Sequence, residues 1–236
     1  MKAIRITEKI LNKAIDVFLT AVFVLFLLIG AYVMYDMLYI YSGASQRGAL
    51  VYKPGGKEAA EEVLKELSDD CVGWLTVDGS GIDYPVMQGR TNAEYLNTDP
   101  FGEYSLSGSI FLDCASAGDF SDRYSCLYGH HMEGGAMFGA LDRYLNESYF
   151  REFRSGTLTL TDGTEYRLII FAVIPCNAHD TEIFDVNEGG PDDGFIRSHA
   201  LYETEHGDGR ILAMTTCSGV NSDDRLAVLA EILEEK

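Results

Sequence analysis

Positive charge is scarce in this chain. Its 236 residues hold 18 Lys and Arg against 37 Asp and Glu, a net charge of −19. Residues 41–236 carry 14 bases against 34 acids, a net of −20. A nucleic-acid binder needs a basic footprint, so no nucleic-acid partner is expected. The balance suits instead a domain held off an anionic membrane or wall. CxxC pairs and HExxH are also missing, which removes the common structural and catalytic zinc patterns. Of five cysteines, Cys71, Cys114, Cys126 and Cys176 sit in or beside apolar, strand-like runs. They read as free, buried thiols rather than a disulfide framework. No internal repeat or low-complexity tract occurs, and the length suits one domain with a full core plus an appendage.

The appendage is a stretch without charge. Val17 to Tyr35 is a 19-residue apolar run bracketed by Asp16 and Asp36. As a helix it spans about 28 Å, close to the hydrocarbon thickness of a bilayer. Tyr32, Tyr35, Tyr39 and Tyr41 gather at its far end as an interfacial belt would. Lys2, Arg5, Lys9 and Lys13 precede it against one acid, Glu8. The positive-inside rule then puts the N-terminus in the cytoplasm and the remainder outside. A cleaved signal peptide is the rival; the run is long for one, and Ser42-Gly43-Ala44 is a weak cleavage site. The expected organisation is a basic stub and transmembrane anchor over 1–41, a polar linker over 42–56, and the main domain over 57–236.

Within that domain the stripe Ala60, Val63, Leu64 and Leu67 predicts a helix over Lys57 to Ser68, at the head of an N-terminal segment 57–70. From Cys71 the pattern turns to strands with turn punctuation. Val72 to Val77 is followed by Asp78-Gly79, and Ile82 to Met87 carries Pro85, which marks an edge or bulge. Gly108 to Asp113 and Ser125 to Tyr128 are further strands, and Met137 to Leu145 reads as a short helix. Thr157 to Thr161 alternates, turns at Asp162-Gly163, and returns as the apolar, central Tyr166 to Ile174. An insertion, about 177–209, holds a helix opened by Pro191-Asp192-Asp193 and closed by His206-Gly207. The last two strands are Arg210 to Met214 and Arg225 to Leu233. Seven or eight strands with peripheral helices argue for a mostly antiparallel barrel or sandwich.

Chemistry gathers at strand ends. Thr215-Thr216-Cys217 closes one strand, and Arg225 is returned by the next. A strand-end thiol beside a fixed cation is a candidate nucleophile, because the thiolate is the reactive form. His130 and His131 follow another strand in Tyr128-Gly129-His130-His131-Met132. His199 shares a helical face with Phe195, Ile196 and Tyr202 and suits packing; His179 and His206 suit solvated loops. Taken singly, Cys217 could be a buried thiol, His130 a structural histidine, and Arg225 an ion-pair partner of Asp223 or Asp224. A zinc site from Cys217, His130 and His131 is disfavoured, since adjacent strand residues point apart.

The sequence resembles the class B sortases from about Cys71 to the C-terminus. Gly73-Trp74-Leu75-Thr76-Val77-Asp78-Gly79 with Ile82 to Gly89 is similar to the family's first hairpin. Tyr95-Leu96-Asn97 then Gly108 to Asp113 follow in order. Tyr128-Gly129-His130 with Met137-Phe138-Gly139 is similar to the histidine segment, and Thr215-Thr216-Cys217 with Arg225 to the Thr-Leu-x-Thr-Cys signature and its arginine. Ala213-Met214 replaces the signature's Thr-Leu; Met for Leu conserves volume. The resemblance implies a mainly β protein, a closed Greek-key barrel of about eight strands with peripheral helices and an N-terminal helical extension.

It also implies a mechanism. Cys217 would be the nucleophile, His130 the acid and base with His131 as runner-up, and Arg225 the stabiliser of the oxyanion. Asn92, Leu96, Thr215 and Thr216 would contact the substrate. The substrates implied are secreted proteins bearing a C-terminal sorting signal, cut at Thr; the acyl acceptor is an amine of a cell-wall precursor. No metal or organic cofactor is implied, and the enzyme would sit at the cell membrane with its catalytic domain outside. A cysteine peptidase that gives the thioester to water is the first alternative; a non-catalytic membrane-tethered binding module is another.

Overall fold

Eight strands of this chain close on themselves. The computed structural model describes residues 2–44, 46, 48–54, 67–217 and 223–234, with side chains for all of these except 2–8, Glu133 and Cys217. The strands are β1 Cys71–Val77, β2 Ile82–Met87, β3 Ile110–Leu112, β4 Tyr124–His130, β5 Ser155–Leu160, β6 Glu165–Asn177, β7 Tyr202–Glu203, β8 Arg210–Cys217 and β9 Asp224–Glu234. Their order is β5-β1-β2-β3-β4-β8-β9-β6-β7, and pairing of β5 with β6 closes the ring and leaves β7 outside it. The expected barrel of about eight strands is therefore present. Two neighbours, β2 with β3 and β4 with β8, run parallel, which hairpin signals could not foretell.

Closure depends on β6. Its first half pairs with β5 through Glu165 to Ile169, and its second half pairs with β7 through Ala172 and Val173. An irregularity between Ile170 and Ala172 in the ladder with β9 separates the halves. Both faces of β6 are covered, hence its near-continuous apolar run. Leu168, Ile170 and Val173 join the main cluster with Leu75, Val86, Leu127, Leu212 and Val228. Phe171, Ala172 and Ile174 pack instead with Cys126, Ala213 and Leu229 beneath Ile183 and Ile196 of the insertion. Pro85 lies opposite Trp74, one residue before β2 gains β3 at Val86, so the missing N–H sits where a second ladder has not begun.

The insertion is more broken than expected. It contains α3 Thr181–Phe184 and α4 Asp193–His199, after α2 Glu147–Glu152 earlier in the chain. Asp192 caps α4 by accepting from Phe195 N. The helix stops at Ala200 rather than at His206-Gly207, because the edge of β6 captures the chain: Leu201 N donates to Val173 O (2.7 Å) and Thr204 N to Phe171 O (2.8 Å). His206 is not a solvated loop residue; its ring stacks on Phe171 at 4.0 Å, with Asp193 3.8 Å from Nε2. His199 stacks on Phe195 at 4.1 Å but stays exposed. Met137 to Leu145 forms a 3₁₀ rather than an α turn, over Phe138–Leu145.

The chain divides into two units, Met1–Tyr41 and Ser42–Lys236. Helix α1, Lys2–Ala44, contains an 18-residue window of mean hydropathy 2.7 and is long and apolar enough to cross a membrane. The helix expected over Lys57 to Ser68 lies almost wholly outside the described residues. The expected linker is packed over its described part. Ala49 is buried, Gln46 Nε2 donates to Gly108 O (2.9 Å), and Lys53 meets Asp83 at 2.7 Å.

Candidate active site

The parallel pair β4 and β8 brings two strand ends to one end of the barrel. Their register runs from Tyr124↔Ile211 to His130↔Cys217, so the last residues of the two strands are partners. β9 returns antiparallel to β8, with Thr215↔Ala227 the last ladder pair. Continued two residues past that pair, the same register would bring Arg225 opposite Cys217. On its other side Arg225 pairs with Cys176 of β6. The pairs His130↔Cys217 and Cys176↔Arg225 thus stand at the same end of the neighbouring strands β4, β8, β9 and β6.

His130 donates from Nε2 to the carbonyl of Leu96 at 2.7 Å, since a carbonyl can only accept. In that tautomer the other ring nitrogen, Nδ1, carries the free lone pair. His131 turns instead to Asp142, 2.6 Å from Nε2. Arg225 is half-buried and donates Nη1 to the carbonyl of Asp224 (2.8 Å), among other interactions. Burial pushes the thiol of its strand partner Cys176 up to about 12 with help from Asp180, while the guanidinium opposes the rise.

Beside these strand ends lies a cleft of about 380 Å³. It is lined by Arg225 and Thr216, by Asn92 and Leu96, and by the aromatic rings of Phe111, Tyr128 and Phe184. Tyr128 stacks on Phe184 at 6.2 Å and tilts against Phe111 at 5.3 Å. A second, more acidic cleft of about 530 Å³ continues from it, sharing Asn92, Ala178 and Phe184 and reaching Asp180, Asp185 and His179. Three of the four residues expected to touch substrate therefore line the first cleft. Thr215 does not: it is fully buried, and its hydroxyl donates to Leu127 O at 2.8 Å, fastening β8 to β4. Thr216 Oγ1 accepts from Leu226 N at 3.2 Å and so extends the β8–β9 connection.

Asp113 is the residue the sequence did not single out. It is 4% exposed. Its Oδ2 accepts from Asn92 Nδ2 (2.7 Å) and Tyr128 OH (2.8 Å), and its Oδ1 from Ala115 N (2.8 Å). Asn92 Oδ1 in turn accepts from Cys114 N. One buried carboxylate thus orients two residues that line the cleft. The only signal was an acid ending the apolar run Ile110-Phe111-Leu112. Cys114 beside it is exposed, contrary to the expectation of burial; Cys71 and Cys126 are buried and Cys176 partly so, all unpaired.

A closed barrel of this order, matched over residues 75–233 by the sortase domain family, defines a cysteine transpeptidase. Sortase B of Staphylococcus aureus is 30% identical over 182 residues, covering 73% of this chain and 74% of that one. Sortase B of Listeria monocytogenes is 31% identical over 162 residues, 65% of each. A Streptococcus pyogenes class B sortase involved in pilus biogenesis superposes with a TM-score of 0.67 at 33% identity, covering 75% of this chain and 99% of that structure. The chain belongs to the sortase family, and within it to class B.

Proposed function

We propose that this enzyme is anchored in the cell membrane by α1, with residues 1–41 as cytoplasmic stub and anchor, 42–56 as a connecting segment, and 57–236 as an outward-facing catalytic domain. Cys217 is the nucleophile, His130 the acid and base, and Arg225 the oxyanion donor. Asn92, Leu96 and Thr216 face the peptide, and Thr215 supports them from within the sheet. The observation that carries this reading is the register: His130↔Cys217 across the parallel pair, with β9 antiparallel to β8 up to Thr215↔Ala227, two residues short of Cys217 and Arg225.

The reaction proceeds in two halves. The Cys217 thiolate attacks the carbonyl of a Thr in a C-terminal sorting signal, and Arg225 donates charge-assisted hydrogen bonds to the tetrahedral oxyanion. As the C–N bond breaks, His130 gives a proton to the departing amine. An amine of a cell-wall precursor then attacks the thioester, loses its proton to His130, and releases the thiolate. The second half needs an acceptor that outruns water.

The test is a product assay on the full chain with sorting-type peptides and a panel of amines. An amide product that vanishes in Cys217→Ala is expected. Hydrolysis alone across the panel overturns the acceptor assignment, and full activity of Cys217→Ala overturns the site.

A further inference from the structure

Apolar surface follows directly after α1. Leu50 is 42% exposed and Val51 81%, in the 3₁₀ turn Ala49–Tyr52. That turn packs against the loop that carries Phe101 (42%), Tyr104 (74%) and Leu106 (51%). The contact is defined by Tyr52 edge-on to Phe101 at 5.8 Å and by Gln46 bonded to Gly108. Of the seven exposed large apolar side chains among the described residues of the Ser42–Lys236 unit, these are five; the others, Leu145 and Leu201, stand elsewhere in the sequence. Scattered exposed apolar residues need no explanation, but a cluster marks a surface that something covers.

Chain length identifies the cover. Val51 is seven residues beyond the end of α1, at most about 25 Å of extended chain. The apolar run ends at Tyr35, and the nine helical residues from there to Ala44 rise about 13 Å more; if α1 spans the bilayer, this corner is therefore tethered within about 40 Å of the hydrocarbon edge, and docking is an intramolecular event at high effective concentration. The side chains are those of an interfacial contact, two aromatic and three aliphatic. Charge does not drive it: Lys53 is paired with Asp83, and the loop itself carries Asp99 and Glu103.

We propose that Leu50, Val51, Phe101, Tyr104 and Leu106 form a docking face that rests on the lipid bilayer surface. The inference rests on the reading of α1 as a membrane anchor. The loop is tied to the cleft wall, because Ser105 N donates to Asn97 O and Ser109 N to Tyr95 O. Docking therefore fixes the direction in which the cleft faces the membrane.

The test uses the full chain in phosphatidylcholine vesicles. Tyr104→Trp introduces an indole on the face, while the single native Trp74 is 1% exposed and serves as background. Brominated phosphatidylcholine is expected to remove most of the introduced emission and to leave the parent unchanged. Adding Leu50→Asp and Val51→Asp is expected to abolish the quenching. A chain released by alkaline carbonate overturns the anchor and the docking together. A chain that resists carbonate but shows no quenching overturns the docking alone. An emission shift that follows protein density without bromine quenching assigns the face to a second copy and also overturns it.

Discussion

His130 gives its Nε2 proton to the main-chain carbonyl of Leu96 across 2.7 Å, so the histidine is aimed by backbone that no side-chain change at position 96 removes. Leu96 lines the cleft as well. Gly108 supports this arrangement: its φ is +55°, and a Cβ there would stand 2.4 Å from Leu96 O and 2.5 Å from Tyr95 O.

Gly108→Ala must therefore push the Leu96 carbonyl away from His130. A side chain at positive φ adds strain of about 1–3 kcal/mol. Displacement of a catalytic group by about 1 Å costs on the order of 10²-fold in rate. The expected outcome is a large fall in kcat with a lower Tm. Leu96→Ala keeps the carbonyl and should raise KM while sparing kcat. Steady-state kinetics on the two variants read the contrast; equal effects on kcat would contradict it.

Arg225→Lys is expected to lose about 10²-fold or more in kcat/KM, because an ammonium cannot reproduce the planar fork of donors and one missing oxyanion donor costs that much. Near-normal kcat/KM would remove Arg225 from the oxyanion. His131→Ala, which breaks only the contact with Asp142, is expected to leave kcat within about threefold, as surface pairs contribute little.

Local chemistry made most strands readable. Asp78-Gly79 and Asp162-Gly163 announced turns that join β1 to β2 and β5 to β6, and the apolar run of β6 announced a strand covered on both faces. Contacts between distant segments were not readable. Nothing in Ser125-Cys126-Leu127 or Leu212-Ala213-Met214 says that β4 and β8 are parallel neighbours, although that pairing sets His130 beside Cys217. The early end of α4 had the same cause, since it depends on hydrogen bonds to β6 across the insertion. Asp113 escaped notice because a carboxylate at a strand end looks like a turn residue until its partners Asn92 and Tyr128 are brought to it from other segments.

Asp113→Asn tests that carboxylate as a positioning residue. The amide nitrogen, if it occupies the place of Oδ2, faces the Asn92 and Tyr128 donors with a donor of its own. Each buried polar group left unsatisfied costs about 1–3 kcal/mol. A rise in KM larger than any fall in kcat is expected, with a lower urea midpoint. A loss of stability with unchanged KM would make the role structural only.

The remaining thiols give the last prediction. Burial pushes Cys71 and Cys126 up to about 12 from an ordinary 9, and Cys176 likewise, although the Gly73 backbone beside Cys71 and the Arg225 guanidinium beside Cys176 oppose the rise. These groups are neutral when protonated, and the folded state holds the proton more tightly than the unfolded chain. Their contribution is thus fully present below pH 9 and is lost as pH rises through 12. Urea unfolding at stepped pH should show stability falling across that window, with a shallower fall in Cys126→Ala whatever its baseline. The same protonation makes them poor nucleophiles at neutral pH. Alkylation of the native enzyme followed by peptide mass spectrometry should mark exposed Cys114 and the proposed nucleophile Cys217, and should reach Cys71, Cys126 and Cys176 only after unfolding. Modification of Cys126 in the native enzyme at a rate near that of Cys114 would contradict the burial that holds its proton.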